Sequence, residues 1–379
     1  MLVSCALIKG EIFLKNGFVI LIIAVIICCI GILSIYSSNY QKTEGSWHDI
    51  YKRQILWVVL GLALFTAMSN FNYRRFWDIT YVLYAILVLL LILVFVLGVI
   101  RLGAQRWLRF GWFNFQPSEL AKLIMVIFLA RYFSSKSIQD VFLNVNRFNI
   151  FKALILPAIY VIIPAALIIE QPDLGSGIIV LVVFLAMLFL AGVKLRYLIF
   201  VFLICSLFSP FIWNFLRDYQ KNRILVFLNP NMDPLGVGYT VIQARIAIGS
   251  GMFLGKGWLL GTQSQLHFLP ESHTDFIFST FAEEWGFLGC IGLLLLYYII
   301  IRKGIAIAMK TNDYFGRLLA LGISLMLTMQ VCVNIAMNLG FAPVVGIPLP
   351  LMSYGGSSVL VTFLSLGILV NINKKRAVF

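Results

Sequence analysis

The run "FVILIIAVIICCIGILSIY" at residues 18–36 contains no charged residue, and its length is close to the about 20 residues that an α-helix needs to cross a bilayer. Similar runs recur along the 379-residue chain, which is 61% hydrophobic and only 12% charged. Soluble globular domains carry about 25% charged residues. The composition therefore predicts an all-α polytopic membrane protein.

Ten such spans are predicted within a single integral membrane domain covering residues 1–379. They lie near residues 18–36, 55–70, 78–99, 118–133, 152–169, 176–193, 196–215, 276–300, 315–339 and 357–372. The first run is long for a signal peptide and lacks a clear A-x-A cleavage site, so we expect a retained helix. The fourth is the weakest, because it begins with Glu119 and Lys122.

The basic residues predict the orientation of the chain. With the N-terminus in the cytoplasm, 17 Lys and Arg lie on the cytoplasmic side and 6 in the short loops of the opposite side. Short loops carry the orientation signal, so both termini are expected to be cytoplasmic. The net charge of +14 is explained by this asymmetry and does not require a nucleic-acid partner. The six cysteines form no CxxC pair or Cys/His cluster, which argues against disulfides and zinc.

Two segments outside the spans are unlike simple connectors. The loop at residues 216–275 contains "YTVIQARIAIG", which is typical of an amphipathic helix lying in the membrane interface. The segment "GFAPVVGIPLPLMSYGGSS" at residues 340–358 is too broken for a helix and too apolar for open water. Such backbone is tolerated at membrane depth only when it is buried in protein or lines a cavity. Ser357, in this segment, is a candidate substrate-binding residue.

Asp275 is the leading catalytic candidate. One interpretation is a helix cap, because Ser272 and Asp275 fit an S-x-x-D capping pattern with Ser272 as N-cap. The other is a general base beside a cavity, for which partial desolvation would raise the pKa of the carboxyl into a useful range. The same helix contains Glu283 and Glu284, and one of these is expected to pair with a cation or cap broken backbone.

Other charged residues could neutralise each other or bind an anionic ligand. Glu119 and Lys122 share a helix face at i, i+3, and Asp173, in "EQPDLGSG", could serve a turn or a site. Arg106 and Arg109 could anchor the chain at the interface or clamp a phosphate, with Lys256 joining them. The sequence contains no Walker loop and no nucleotide-binding GxGxxG after a strand.

Eight motifs then occur in the order expected for a known family. They are "GAQRW", "FQPSELAK", "QPDLGS", "DPLGVGY", "IAIGSG", "GKGWLLGTQSQLHFLPESHTDFIF", "AEEWGFLG" and "GFAPVVGIPLPLMSYGGSS". On these motifs the chain resembles the SEDS family (shape, elongation, division and sporulation) over nearly its whole length. The segment "GTQSQLHFLPE" favours the elongation branch over the division branch.

The resemblance implies a peptidoglycan glycosyltransferase that polymerises lipid II during cell elongation, with a class B penicillin-binding protein as partner and the elongation machinery around it. It places the catalytic aspartate at Asp275 and further functional positions at Glu119, Lys122 and Asp173. It implies a bacterial inner-membrane protein whose active site faces the periplasm.

For this chemistry we expect Asp275 to deprotonate the acceptor 4-hydroxyl, and Arg106, Lys122, Arg109 or Lys256 to stabilise the departing pyrophosphate. A divalent cation, Mg²⁺ or Mn²⁺, could be held by Asp275, Asp173 or Glu119, and no organic cofactor is expected. A lipid II flippase and a non-catalytic scaffold are the alternatives. A flippase needs ionisable groups at mid-membrane, whereas the candidates here cluster on the outer side.

Overall fold

The computed structural model describes residues 2–40, 49–101, 104–111, 113–135, 154–234, 236–266 and 268–375. Its helices are α1 (Leu2–Asn39), α2 (Ile50–Asn70), α3 (Arg75–Leu97), α4 (Pro117–Ser134), α5 (Leu156–Glu170), α6 (Leu174–Leu190), α7 (Leu195–Leu207), α8 (Ser209–Phe215), α9 (Asp218–Leu228), α10 (Val237–Ser250), α11 (Thr262–Gln265), α12 (Ile277–Met309), α13 (Tyr314–Leu339) and α14 (Gly356–Lys375).

A helix covers most of the described part of each of the ten predicted apolar runs, and the seventh run is divided at Phe208 between α7 and α8. Among the described residues, six helices are long and apolar enough to cross a membrane: part of α1 (Gly17–Asn39), α2, α3, α12, α13 and α14. Helices α5 and α6 are apolar but shorter. The chain is therefore a helical membrane protein. The count of ten spans and the cytoplasmic termini stay predictions.

The expectation of an all-α fold is wrong in one segment. Strands β1 (Gly98–Arg101), β2 (Ala104–Phe110) and β3 (Phe113–Phe115) form an antiparallel sheet in the order β1-β2-β3, immediately before α4. Leu108 pairs with Gly98 on one side and with Phe115 on the other. The alternation of "AQRWLRF" gives the physical reason, since Ala104, Arg106 and Leu108 share one face of an extended strand.

The centre of the bundle is formed by α4 and α14. Every side chain of α4 from Ala121 to Ala130 is buried, and so is nearly all of α14. A helix that is buried on all sides belongs in the core of a large bundle. Pro117 begins α4, where its missing N–H leaves no hydrogen bond unmade. The fourth run, which is the weakest span by sequence, thus forms a helix that is enclosed by the rest of the bundle.

Helix α12 is interrupted at Gly286, whose φ of 62° and ψ of −162° are accessible almost only to glycine. The turn after α10 fills the interruption. The amides of Lys256 and Gly257 donate to the carbonyls of Glu283 and Glu284, each at 3.0 Å, and the amide of Phe287 donates back to the turn. The exchange satisfies backbone groups that the broken helix would otherwise leave unpaired.

The substitution Gly286→Ala should destabilise the protein. A Cβ at this position would lie 2.3 Å from the nitrogen of Gly255, and the backbone conformation is strained for alanine. The strain costs about 1–3 kcal/mol, and overpacking adds about 1–3 kcal/mol. We expect a clear drop in melting temperature of the detergent-purified protein.

The matched control is Gly292→Ala in the same helix, because a Cβ there meets nothing within 4 Å. Its melting temperature should equal or exceed that of the unsubstituted protein, since alanine favours helix. Equal losses in the two variants would contradict the role given to the turn at Gly286.

Candidate functional site

Asp275 lies in a turn that precedes α12, and it is not part of the helix. The helix begins at Ile277, and Phe276 before it provides no side-chain cap. The backbone amide of Ser279 in the first turn donates instead to the side chain of Asn338 at 3.2 Å. The interpretation of Ser272 as N-cap with Asp275 at the third helical position is therefore wrong. The helix starts later than the S-x-x-D pattern indicates, and the carboxylate of Asp275 is left free for another role.

Two asparagines of α13 hold the backbone at Asp275. The side-chain amides of Asn334 and Asn338 donate to the carbonyl oxygen of Asp275 at 3.1 and 3.0 Å. Asn334 also donates to the carbonyl of Ile347 at 2.8 Å, and Asn338 accepts from Ser279 at 2.6 Å. Both asparagines are fully buried. They join the turn, α12, α13 and the broken apolar segment into one unit.

The broken apolar segment packs directly on this turn. The Ser353 hydroxyl donates to the carbonyl of Thr274 at 2.7 Å and accepts from the amide of Leu349 at 2.8 Å. A Cβ on Gly346 would lie 3.5 Å from a carboxylate oxygen of Asp275. The prediction that residues 340–358 are buried or line a cavity is consistent with this contact, because the segment forms one wall beside Asp275.

The carboxylate of Asp275 is partly buried and accepts no hydrogen bond from the residues that the structure describes. Burial and the negative charge of Glu271 raise its pKa to about 6, although Arg223 and Arg106 lower the pKa in part. Asp173 adds a smaller upward effect. A carboxyl with a pKa near 6 is ionised at neutral pH and still has a useful affinity for a proton.

Arg106 and Arg223 are the positive charges that act on Asp275. Arg106 lies on β2, donates to the carbonyl of Pro172, and has a buried Nε with no partner among the described residues. Arg223, on α9, likewise has an unpartnered buried Nη1. Burial and the neighbouring Arg106 lower the pKa of Arg223. Arg223 was not among the residues predicted from the sequence, although its position just ahead of the apolar run "ILVFL" was the available indication.

Asp173 joins the starts of three helices. Its carboxylate accepts from the hydroxyl of Ser118 at 2.6 Å, the side chain of Gln116 at 3.0 Å and the amide of Ser176 at 3.2 Å. The amide of Gln116 in turn donates to the hydroxyl of Ser357 at 2.9 Å. Asp173 therefore caps α6 and joins it to the start of α4, which is the turn role considered from the sequence, and Gln116 links this group to α14.

Two of the cations predicted to bind a ligand, Lys122 and Lys256, form ion pairs with glutamates. The third, Arg109, lies on the opposite face of its strand from Arg106. Lys122 is 1% exposed and bonds Glu119 at 2.7 Å, so this pair is neutralised inside the bundle. Lys256 pairs with Glu283 at 2.6 Å. Arg109 lies three residues after Arg106 on one strand, so the two side chains leave opposite faces. Their role in binding the ligand stays a prediction, and none of the three is among the charges that act most strongly on Asp275.

The two adjacent acids of α12 have separate partners. The carboxylate of Glu283 accepts from the ammonium of Lys256 and the hydroxyl of Thr262, the latter at 3.0 Å. Glu284 accepts from the hydroxyl of Ser37 on α1. The prediction that one of the two pairs with a cation is confirmed for Glu283.

The three carboxylates suggested for a divalent cation do not form one ligand set. Glu119 is paired with Lys122, and Asp173 already accepts three hydrogen bonds. Within the described ranges, no three His, Cys, Asp or Glu are placed to hold a metal ion. The residues therefore do not fit a protein-held Mg²⁺ or Mn²⁺ site, and no chemical step is derived through one.

The comparisons with known proteins agree with this architecture. Residues 18–378 match the model of the FtsW/RodA/SpoVE family, described as cell cycle protein. The chain is 41% identical to peptidoglycan glycosyltransferase MrdB of Escherichia coli K12 over 88% of each chain. It is 32% identical to peptidoglycan glycosyltransferase RodA of Treponema pallidum over 95% of this chain and 98% of the relative.

Solved structures of known proteins also match this chain over most of its length. A chain from a peptidoglycan synthase complex, studied for the coordination of polymerization and crosslinking, matches with a TM-score of 0.79 and 32% identity. That match covers 94% of this chain and 97% of the other. Thermus thermophilus rod shape determining protein RodA matches with a TM-score of 0.68 and 29% identity, over 94% and 96% of the two chains. The chain belongs to the FtsW/RodA/SpoVE family, which confirms the resemblance to the SEDS proteins.

The Asn338→Ala substitution should destabilise the site. It leaves the carbonyl of Asp275 with one amide donor and removes the acceptor of Ser279, both in a region that excludes water. Each buried group left unpaired costs about 1–3 kcal/mol. We expect a lower melting temperature and faster deuterium exchange at the amide of Ser279.

Asn70→Ala is the control, because that amide lies exposed at the end of α2. It should change the melting temperature little. If Asn338→Ala were as stable as Asn70→Ala, the asparagine contacts would not hold the turn.

Proposed function

We propose that this protein polymerises lipid II, the undecaprenyl-pyrophosphate-linked disaccharide-peptide, into glycan strands during cell elongation. The observation that carries the proposal is the carboxylate of Asp275, which has no hydrogen-bond partner among the described residues and whose pKa is lowered in part by the charges of Arg106 and Arg223. A base with a pKa near 6 and two guanidinium groups is the set that glycosyl transfer from a lipid pyrophosphate requires. The two curated relatives named above are called peptidoglycan glycosyltransferases, which supports the same reaction.

In the proposed step, Asp275 accepts the proton of the acceptor 4-hydroxyl as its oxygen attacks the anomeric carbon of the donor. The bond from that carbon to the pyrophosphate oxygen breaks, and the pyrophosphate leaves with the electron pair. The negative charge that develops on it is stabilised by Arg106 and Arg223, because guanidinium groups match phosphate oxygens. A divalent cation enters the proposal only as an ion carried by the pyrophosphate.

The same proposal includes the setting of the reaction. The end of the bundle that carries the β-sheet, α9–α11 and residues 340–355, here called the loop-rich end, faces the periplasm of a bacterial inner membrane. A class B penicillin-binding protein is the proposed partner, because a chain in a polymerising and crosslinking synthase complex has this fold. The buried ion pair of α4 lies in its first six residues, near the loop-rich end. This location favours chemistry over transport of lipid II through the bundle.

Removal of the base should abolish polymerisation. With purified lipid II and the partner present, Asp275→Asn and Asp275→Ala should lower the rate at least 10²-fold, within the about 10²–10⁴-fold range of general base catalysis. Glycan products are separated on gels. Asp218→Asn is the control, since Asp218 is an exposed acid on the neighbouring α9, and it should retain the wild-type rate.

Wild-type rates in both Asp275 variants would contradict the general base. A protein that moves lipid II across vesicle membranes without forming glycan would support the flippase. A protein that is inactive in both assays but still restores rod shape in cells would support a scaffold.

The pH dependence should report the charges around Asp275. Because only the ionised base is active, kcat/KM should fall about tenfold per pH unit below a midpoint near pH 6. Glu271 raises the pKa of Asp275, so Glu271→Gln should move the midpoint to lower pH. Arg223 lowers that pKa, so Arg223→Met should move the midpoint to higher pH.

The two shifts have opposite signs, and a general loss of stability would not produce that result. If the midpoint of the fall in kcat/KM at low pH were the same in both variants as in the wild type, a group other than Asp275 would be titrating.

A further inference from the structure

A second cationic pocket adjoins the group around Asp275. It lies between α9, α10 and the chain that follows α13, and Arg223 and Arg245 contribute its charged groups. Its remaining walls are apolar and are formed by Val226, Val241, Pro343 and Val344, among others. Arg223 acts on Asp275 electrostatically, so the pocket and the candidate active site share this residue.

Arg245 is an exposed residue whose guanidinium contacts the end of α13. Its guanidinium donates to the carbonyl of Gly340 at 2.9 Å, at a residue whose φ is +77°. A Cβ at that residue would lie 2.0 Å from the same guanidinium, so only glycine permits the contact. One of five donors is used in this bond, and the planar fork can present others to a ligand.

Neither arginine forms an ion pair with a carboxylate of the described residues, whose ion pairs use Lys52, Lys122, Arg217 and Lys256. Nη1 of Arg223 is buried without a hydrogen-bond partner. A buried, unpaired donor on a charged group costs free energy, and an anionic ligand would remove that cost. The pocket therefore has the charge and the open donors of an anion site.

We propose that this pocket binds the free C-terminal carboxylate of the peptide carried by the lipid-linked substrate. The inference rests on the proposed function, because it assigns a second part of the same substrate. A guanidinium fork matches a carboxylate in two-point geometry. The valine and proline walls suit apolar atoms of a peptide next to its carboxylate, whereas a strongly hydrated pyrophosphate gains nothing from them. The pocket would position the sugar that bears the peptide relative to Asp275.

The test measures binding, so it needs no turnover. Lipid II with a free peptide carboxylate is compared with lipid II whose terminal carboxylate is a primary amide, using the full-length protein in detergent and microscale thermophoresis. The wild-type protein should bind the acid about tenfold more tightly, as expected for a charge-assisted hydrogen bond. In Arg245→Met the acid and the amide should bind equally.

The control is Arg317→Met. Arg317 also donates to a backbone carbonyl, that of Thr311, but it lies at the start of α13, the opposite end of the helix from Gly340. This variant should retain the tenfold preference. Undecaprenyl pyrophosphate, which has no peptide, should bind wild type and Arg245→Met alike.

Equal affinities of the acid and the amide for the wild-type protein would overturn the proposal, and this comparison needs no variant that might misfold. Weaker binding of undecaprenyl pyrophosphate to Arg245→Met would assign the pocket to the pyrophosphate and overturn it too. A preference for the acid in a protein that makes no glycan would support the pocket while the proposed polymerase function fails.

Discussion

Two buried amide side chains on α13 hold the backbone from which the candidate base projects. Asn334 and Asn338 donate to the carbonyl of Asp275, and Asn334 also reaches the carbonyl of Ile347. Water is scarce at this depth, so broken backbone survives only where the protein itself supplies the donors. Because the turn and the apolar segment share a donor, neither can move independently of the other. The placement of Asp275 follows from that shared constraint.

The break in helix α12 at Gly286 is a second stretch of irregular backbone, and a different part of the chain stabilises it. At Gly286 the helix α12 gives up its regular conformation, and the turn after α10 replaces the missing backbone partners. Lys256 and Glu283 pair at the same place. The four acids around the start of α12 therefore divide into two sets. Glu271 and Asp275 precede the helix and influence each other electrostatically, whereas Glu283 and Glu284 fasten loops and α1 to its first turns.

Much of the fold could be predicted from apolar runs, because the bilayer requires long uncharged helices and the sequence displays them openly. The sheet at residues 98–115 could not, since its strands are short and follow an apolar helix without a break in hydrophobicity. The helix cap was wrong because the capping pattern at Ser272 placed the helix start ahead of its observed start at Ile277. The spacing of Arg106 and Arg109 did not indicate the strand that carries them both.

The residues that complete the site were the hardest to predict. Asn334 and Asn338 stand inside an apolar run, where single polar residues attract little notice. Arg223 lies in a long loop whose folding back onto the bundle has no local signature. Lys122 was predicted as a charged residue within a span, and its ion pair with Glu119 at 2.7 Å is visible only in the fold. Only the three-dimensional positions of the charged side chains show which of them form ion pairs and which do not.

The most direct test of the central claim is a cryo-EM structure of the Asp275→Asn variant with its partner and bound lipid II. The account predicts that the 4-hydroxyl of the acceptor sugar lies about 2.6–3.2 Å from the side chain at position 275, with the donor pyrophosphate against Arg106 and Arg223. An acceptor hydroxyl placed against a different carboxylate, with position 275 outside hydrogen-bond reach, would contradict it.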